Sequence, residues 1–249
     1  MRKLHVLMKK EELQEEKLKD KIVVVFDILM ATTTIATVLE NGAKEVIPVK
    51  DSEEAYEVAK NFDHQDYCLA GEYLGRTING FLDPYPQALK RHVKDKSVIL
   101  STTNGTVAIR HAQKAKETYA ASMLNSMAIA NHIFSTNLNK TVLLVCSGSH
   151  GSFNLEDFYG AGYFIECLFQ CSNQWTLTDS ATAAHLFYEG NKDNGEKIML
   201  TSRVGKKIHS AGYGDELKFA SQKSVYDQIV KFTNGKCTVL NKMNEELKK

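Results

Sequence analysis

The sequence predicts an α/β protein: three layers, α/β/α, around a mostly parallel (mixed) sheet, with a helical C-terminal third. Short β-rich apolar runs alternate with stretches of helical periodicity up to about residue 150, the signature of a parallel sheet covered by helices on both faces. After Gly151 the strand signals fade and helical patterns follow one another. No Pro-, Gly- or Ser-rich linker divides the chain, so residues 1–249 read as a single domain, with a possible subdivision near 150 where the pattern changes.

The first expected strand is Leu4–Met8, a short apolar patch before a charged stretch. The second, Lys21–Phe26, ends in four successive apolar residues, as a strand covered on both faces requires. A helix near Thr33–Glu40 follows, closed by Asn41-Gly42. Strand Glu45–Val49 leads to helix Ser52–Asn61, where Ser52 reads as the N-cap and Ala55, Val58 and Ala59 form one apolar stripe. Strands Tyr67–Gly71 and Ser97–Ser101 precede a helix over Gly105–Ala115, whose stripe is Val107, Ile109 and Ala112. Strand Thr118–Ser122, helix Asn125–Thr136 and strand Thr141–Cys146 complete the alternation. Beyond Gly151, Leu155–Phe169, Ser180–Tyr188 and Lys218–Phe232 read as helical, and Lys236–Leu240 as a weak last strand.

Bulk properties exclude several classes. The 249 residues, 43% of them apolar, can bury a substantial core. A net charge of +1 with interspersed signs offers no basic field for nucleic acid. No apolar run approaches the roughly 18 residues of a membrane span, and the N-terminus turns charged too early for a signal peptide. Five cysteines, an odd count without metal-ligand spacing, predict a reduced, cytoplasmic protein. Cys167 and Cys171 read as buried small hydrophobes on a helix face.

In a parallel sheet the carboxyl ends of the strands share an edge, and ligands bind there. Here those ends carry Asp27 with Thr32, Thr33 and Thr34; Glu72; "STTNGT", which includes Thr102, Thr103, Asn104 and Gly105; and "CSGSHGS", which includes Ser147 and Gly148, followed by Glu156 and Asp157. Small hydroxyls and glycines at helix starts suit a phosphate or sulfonate. Carboxylates repel such an anion unless a hard divalent cation lies between, and Mg²⁺ prefers oxygen ligands of this kind. Each piece also has a purely structural reading. The threonines make an N-cap run, Asn104-Gly105 a type I′ turn, Gly148 and Gly151 a plain turn, and Asp157 a first-turn acid. Cys146 lacks the arginine that a thiolate phosphatase loop needs; Ser152 stands at that place, so Cys146 reads as a buried strand-end cysteine.

Three blocks, "FDILMATTTIATVLENGAKEVIPV", "STTNGT" and "CSGSHGSFNLEDFYGAG", together resemble the 2-phosphosulfolactate phosphatase family over most of the chain. The resemblance implies an α/β fold, Mg²⁺, and removal of phosphate from 2-phospho-3-sulfolactate to give sulfolactate, a step towards coenzyme M in methanogens. The strand-end carboxylates then read as the metal site, held by Asp27 and Glu72 with Glu156 or Asp157, and Asp27, Glu72 and Asp157 as catalytic. The resemblance also places the hydroxyl and glycine runs on the substrate, with Arg203 in "TSRVGKKI" matching a basic family block. Where the family pattern carries arginine, this chain has Met30, Tyr73, Val107 and Ser152, and "GFLDPYPQA" departs as well. Two further readings follow from those departures: a phosphatase of altered specificity, or a catalytically silent relative that binds an anionic metabolite. The expected partner throughout is a small phosphorylated or sulfonated metabolite, and a homo-oligomer is compatible with all three readings.

Overall fold

The computed structural model describes residues 2–136 and 140–240. In chain order the elements are β1 (Arg2–Leu7), β2 (Ile22–Phe26), α1 (Ala31–Glu40), β3 (Glu45–Val49), α2 (Ser52–Ala59), β4 (Tyr67–Tyr73), β5 (Arg76–Thr77) and α3 (Pro86–Leu89). There follow β6 (Ser97–Ser101), α4 (Gly105–His111), β7 (Glu117–Ala121), α5 (Ser126–Ser135), β8 (Val142–Cys146) and α6 (Leu155–Cys171). The last are β9 (Trp175–Leu177), α7 (Asp179–Glu189), α8 (Gly195–Thr201), α9 (Arg203–Ser210), α10 (Gly214–Ala220), β10 (Val230–Thr233) and β11 (Lys236–Val239). The α/β class, the mostly parallel mixed sheet and the helical C-terminal part are as expected.

The strands form one sheet in the order β5-β4-β6-β3-β11-β10-β7-β2-β8-β1-β9. It holds two parallel runs, β4-β6-β3 and β7-β2-β8-β1-β9. The antiparallel hairpin β10-β11 joins them, pairing with β7 on one side and β3 on the other. The last expected helix, Lys218–Phe232, is therefore corrected: α10 ends at Ala220, and Val230–Thr233 is a strand in the middle of the sheet. Asn234 and Gly235 have φ of 51° and 78°, the conformation that lets a two-residue turn close a hairpin.

Side chains alternate along β2. Ile22, Val24 and Phe26 pack with α5, α6 and α7, whereas Val23 and Val25 pack with α1 and α4. That second core also takes Val46 of β3, Val98 and Leu100 of β6, and Phe232 of β10. The sheet thus curls until α1 and α4 touch both parallel runs. A third, smaller core sets Ala55 and Ala59 of α2 against Val49 and Ile99. The N-cap of α2 is Asp51, whose Oδ1 accepts from the Glu54 amide at 2.9 Å, rather than the expected Ser52. Cys68, Cys146, Cys167 and Cys237 are buried free thiols, while Cys171 is half-buried. Among the described residues no helix is long and apolar enough to cross a membrane.

Candidate functional site

The turn from β2 into α1 is built from its own threonines. Thr32 Oγ1 accepts from the Asp27 amide at 3.0 Å and donates to the Asp27 carbonyl at 2.9 Å. Thr33 Oγ1 donates to the Ile28 carbonyl at 2.6 Å, and Thr34 Oγ1 lies 2.6 Å from the Pro84 carbonyl that accepts from it. All three side chains are fully buried. Their hydroxyls face backbone rather than a ligand, and none of them lines the cavity described below, in contrast to the expected anion contact. What they do is lock the turn that aims the Asp27 carboxylate. Gly105, at the start of α4, completes the packing: a Cβ there would collide with Asp27 Oδ2 and the Ala31 methyl. Asn104-Gly105 is thus a helix start, not a hairpin turn.

Glu72, near the end of β4, is held by three donors. The Thr103 amide donates to Oε1 at 2.7 Å, the Thr103 hydroxyl to Oε2 at 3.1 Å, and the Gly75 amide to Oε2 at 2.7 Å. Asp157 is fully buried and accepts from two strand-end loops, the Ile28 amide at 2.9 Å and the Gly148 amide at 3.1 Å. It ties the loop after β2 to the loop after β8. Neighbouring Glu156 is buried with Oε2 unpartnered.

Burial and neighbouring carboxylates raise Asp27 and Asp157. Burial, then Glu72 and Glu156, lifts the Asp27 carboxyl to about 7, against the pull of the Ala31 amide and Lys10. Burial together with Asp27 and Glu156 pushes Asp157 well above the carboxylate range, and burial raises Glu156. The buried Cys146 thiol is pushed well up for the same reason, which suits a strand-end core residue and not a thiolate nucleophile.

The strand ends meet at a cavity of about 160 Å³. Its lining includes Asp27, Met30, Glu72, Thr103, Asn104 and the loop Gly148–His150. The helix α9 contributes Arg203, Val204, Lys207 and Ile208, and Ala211 just after it also lines the cavity. Ser202 caps α9 through the Gly205 amide at 2.9 Å. Arg203 donates to the Ser149 carbonyl at 3.2 Å and to Asn154 Oδ1 at 3.3 Å, which holds its guanidinium over the loop after β8.

Of the residues expected from sequence, Asp27, Glu72, Thr103, Asn104, Gly148 and Arg203 come together here. Thr32, Thr33, Thr34, Thr102, Gly105, Ser147, Glu156 and Asp157 lie outside the cavity wall, behind or beside it. Thr102 Oγ1 bonds the Thr106 amide at 3.1 Å instead. Sequence reasoning missed Lys207, His150 and the buried Lys10. Lys207 was within reach of it, since Arg203 and Lys207 are four apart and so share a helix face. Nothing local marks Lys10.

A model of the 2-phosphosulpholactate phosphatase family matches residues 7–235 of this sequence. The chain belongs to that family. A protein of Clostridium perfringens strain SM101 is 38% identical over 238 residues, which cover 94% of each chain. One from Clostridium novyi is 36% identical and one from Clostridium beijerinckii 32%, each over 95% of this chain and 99% of the relative. All three are named probable 2-phosphosulfolactate phosphatase.

Within this family's fold, the four positions without the expected arginine separate in space. Met30 lines the cavity. Tyr73 lies beside it on a neighbouring depression shared through Glu72 and Thr103, 67% exposed. Val107 and Ser152 line neither.

The donor set fits a hard divalent cation in one respect: two carboxylates, Asp27 and Glu72, face one cavity. The four acids do not close a ready-made cage. Among the described residues, the three-residue group whose donor atoms lie within 4.8 Å of one another is Glu166, His185 and Glu189, away from this wall. Mg²⁺ is commonly held by one or two carboxylates plus water and substrate phosphate, which Asp27 and Glu72 can provide.

Proposed function

We propose that this chain is a Mg²⁺-dependent phosphomonoester hydrolase that removes phosphate from 2-phosphosulfolactate, or a close dianionic analogue, and releases sulfolactate. The observation that carries this reading is one cavity lined both by the acids Asp27 and Glu72 and by the cations Arg203 and Lys207. The family and the names of its members supply the substrate.

Arg203 and Lys207 hold the substrate's anionic groups, and Arg203 is already oriented by Ser149 and Asn154. Asp27 and Glu72 hold the cation, which when bound polarises the phosphoryl oxygens and lowers the pKa of a water. The three donors on Glu72 and the threonine-locked turn under Asp27 keep both carboxylates from rotating away. Water attacks phosphorus and the P–O ester bond breaks; one proton of the water stays on the released phosphate and the other passes to solvent, while the leaving alkoxide takes a proton. His150, exposed and part of the cavity lining, is the side chain suited to give it.

Met30 favours a second reading, a phosphatase of altered specificity. It places a thioether on the wall where an arginine is expected. The test is kcat/KM for 2-phosphosulfolactate and for a phosphate ester with a neutral tail, with Mg²⁺ and with EDTA. The first reading expects 2-phosphosulfolactate to be preferred at least tenfold, with loss of activity in EDTA. Preference for the neutral tail supports the second, and full activity in EDTA contradicts the metal.

A further inference from the structure

Lys10 lies in the loop after β1 and is only 8% exposed. Its amide reaches the Ser147 carbonyl at 3.4 Å, so this loop is fastened to the loop after β8. Its ammonium pairs with Glu11 Oε1 at 3.1 Å and donates to Asn104 Oδ1 at 2.9 Å. Burying an ammonium is unfavourable unless its hydrogen bonds are placed to advantage. Asn104 shows where the advantage lies. It occupies the N-cap of α4, where an asparagine oxygen ordinarily accepts from a helix amide, yet it makes no side-chain cap bond. Lys10 takes that oxygen instead. A lysine can only donate, so Oδ1 must face it and Nδ2 must point the other way. Asn104 lines the cavity, and among the described residues no acceptor bonds Nδ2.

We propose that Lys10 is a positioning residue that turns the Asn104 amide so that Nδ2 presents its two N–H donors to the phosphoryl oxygens in the cavity. The proposal rests on the anion-binding part of the function proposed above. Lys10 acts through Asn104 and does not touch the substrate. Its effect therefore depends on Asn104 being present.

The experiment is a double-mutant cycle read by calorimetric binding of inorganic phosphate in excess MgCl₂. Hydrogen bonds to charged groups contribute on the order of a ten- to hundredfold change in affinity. Lys10→Met and Asn104→Ala should each weaken phosphate at least about tenfold. The double variant should bind no more weakly than Asn104→Ala alone. Lys10→Gln, which keeps an N–H donor without the charge, should recover most of the loss, and it also serves if Lys10→Met fails to fold. An unchanged affinity in Lys10→Met, or an equal loss in both backgrounds, overturns the role of Lys10 while leaving the phosphatase reading intact. Wild-type protein that binds no phosphate overturns both.

Discussion

Asp27 is held at the end of β2 with its carboxyl lifted to about 7 by burial, Glu72 and Glu156, while in an unfolded chain it ionises near the usual 3.8. The folded, metal-free protein therefore binds more protons than the unfolded chain between those two values. Stability from this group is complete below the lower value and falls as pH rises towards the upper one. Asp157 and Glu156 are raised too and act in the same direction. In EDTA the melting temperature should drop between pH 5 and 8, less so in Asp27→Asn, and Mg²⁺ should restore more of it at pH 8 than at pH 5. A melting temperature that rises over this range in EDTA would contradict the acid cluster. The missing arginines give a second test. Met30 lines the cavity and Val107 does not, so Met30→Arg should improve kcat/KM for 2-phosphosulfolactate about tenfold or more. Val107→Arg should change it less than twofold. Equal effects would mean that cavity lining does not decide substrate charge. At this scale the sequence was legible where a carboxylate follows a strand, as at Asp27 and Glu72. It misled at Thr32–Thr34, because a hydroxyl at a helix start can face a ligand or its own backbone, and spacing does not distinguish the two. Lys10 carried no local signal because its partner Asn104 lies 94 residues away.

The β-strand to α-helix handovers position the site, and glycine makes one of them possible. The start of α4 presses against Asp27, so Gly105→Ala forces either the helix or the carboxylate to move. The variant should lose at least tenfold in kcat, because a displacement of about 1 Å at a reacting group can cost a hundredfold. A circular dichroism spectrum like that of the wild type would show that the element survives. Full activity in Gly105→Ala would mean that the position of Asp27 is not critical. From β2 through β8 the alternation of apolar runs with helical stripes made the elements readable, apart from the two-residue β5 and the four-residue α3. β11 was also read, as the last strand Lys236–Leu240, but β10 was not. Val225, Ile229 and Phe232 mimic helical spacing, and the pairing partners of Lys231 and Phe232 are Tyr119 and Thr118, far back in the chain. Asn234-Gly235 is the turn that closes the β10-β11 hairpin. Helices α8 and α9 were not read from the sequence.

For the molecule as a whole, two parallel runs joined through a C-terminal hairpin curl around α1 and α4, the two helices whose N-termini flank Asp27. The C-terminal helix α9 then adds Arg203 and Lys207 to the cavity lining. The sequence announced the class of this architecture through its alternating periods, but not the join, since strand order is set by contacts that no local pattern records. The central claim is that this enclosed edge hydrolyses a phosphate ester through Asp27. Its most direct test is release of inorganic phosphate from 2-phosphosulfolactate by purified wild type and Asp27→Asn, each titrated with Mg²⁺. The account predicts Mg²⁺-saturable release by wild type and a rate at least a hundredfold lower in Asp27→Asn of unchanged fold, on the order of what losing a charge-stabilising group at a reacting centre costs. Equal rates in the two proteins, or release that ignores Mg²⁺, would contradict it.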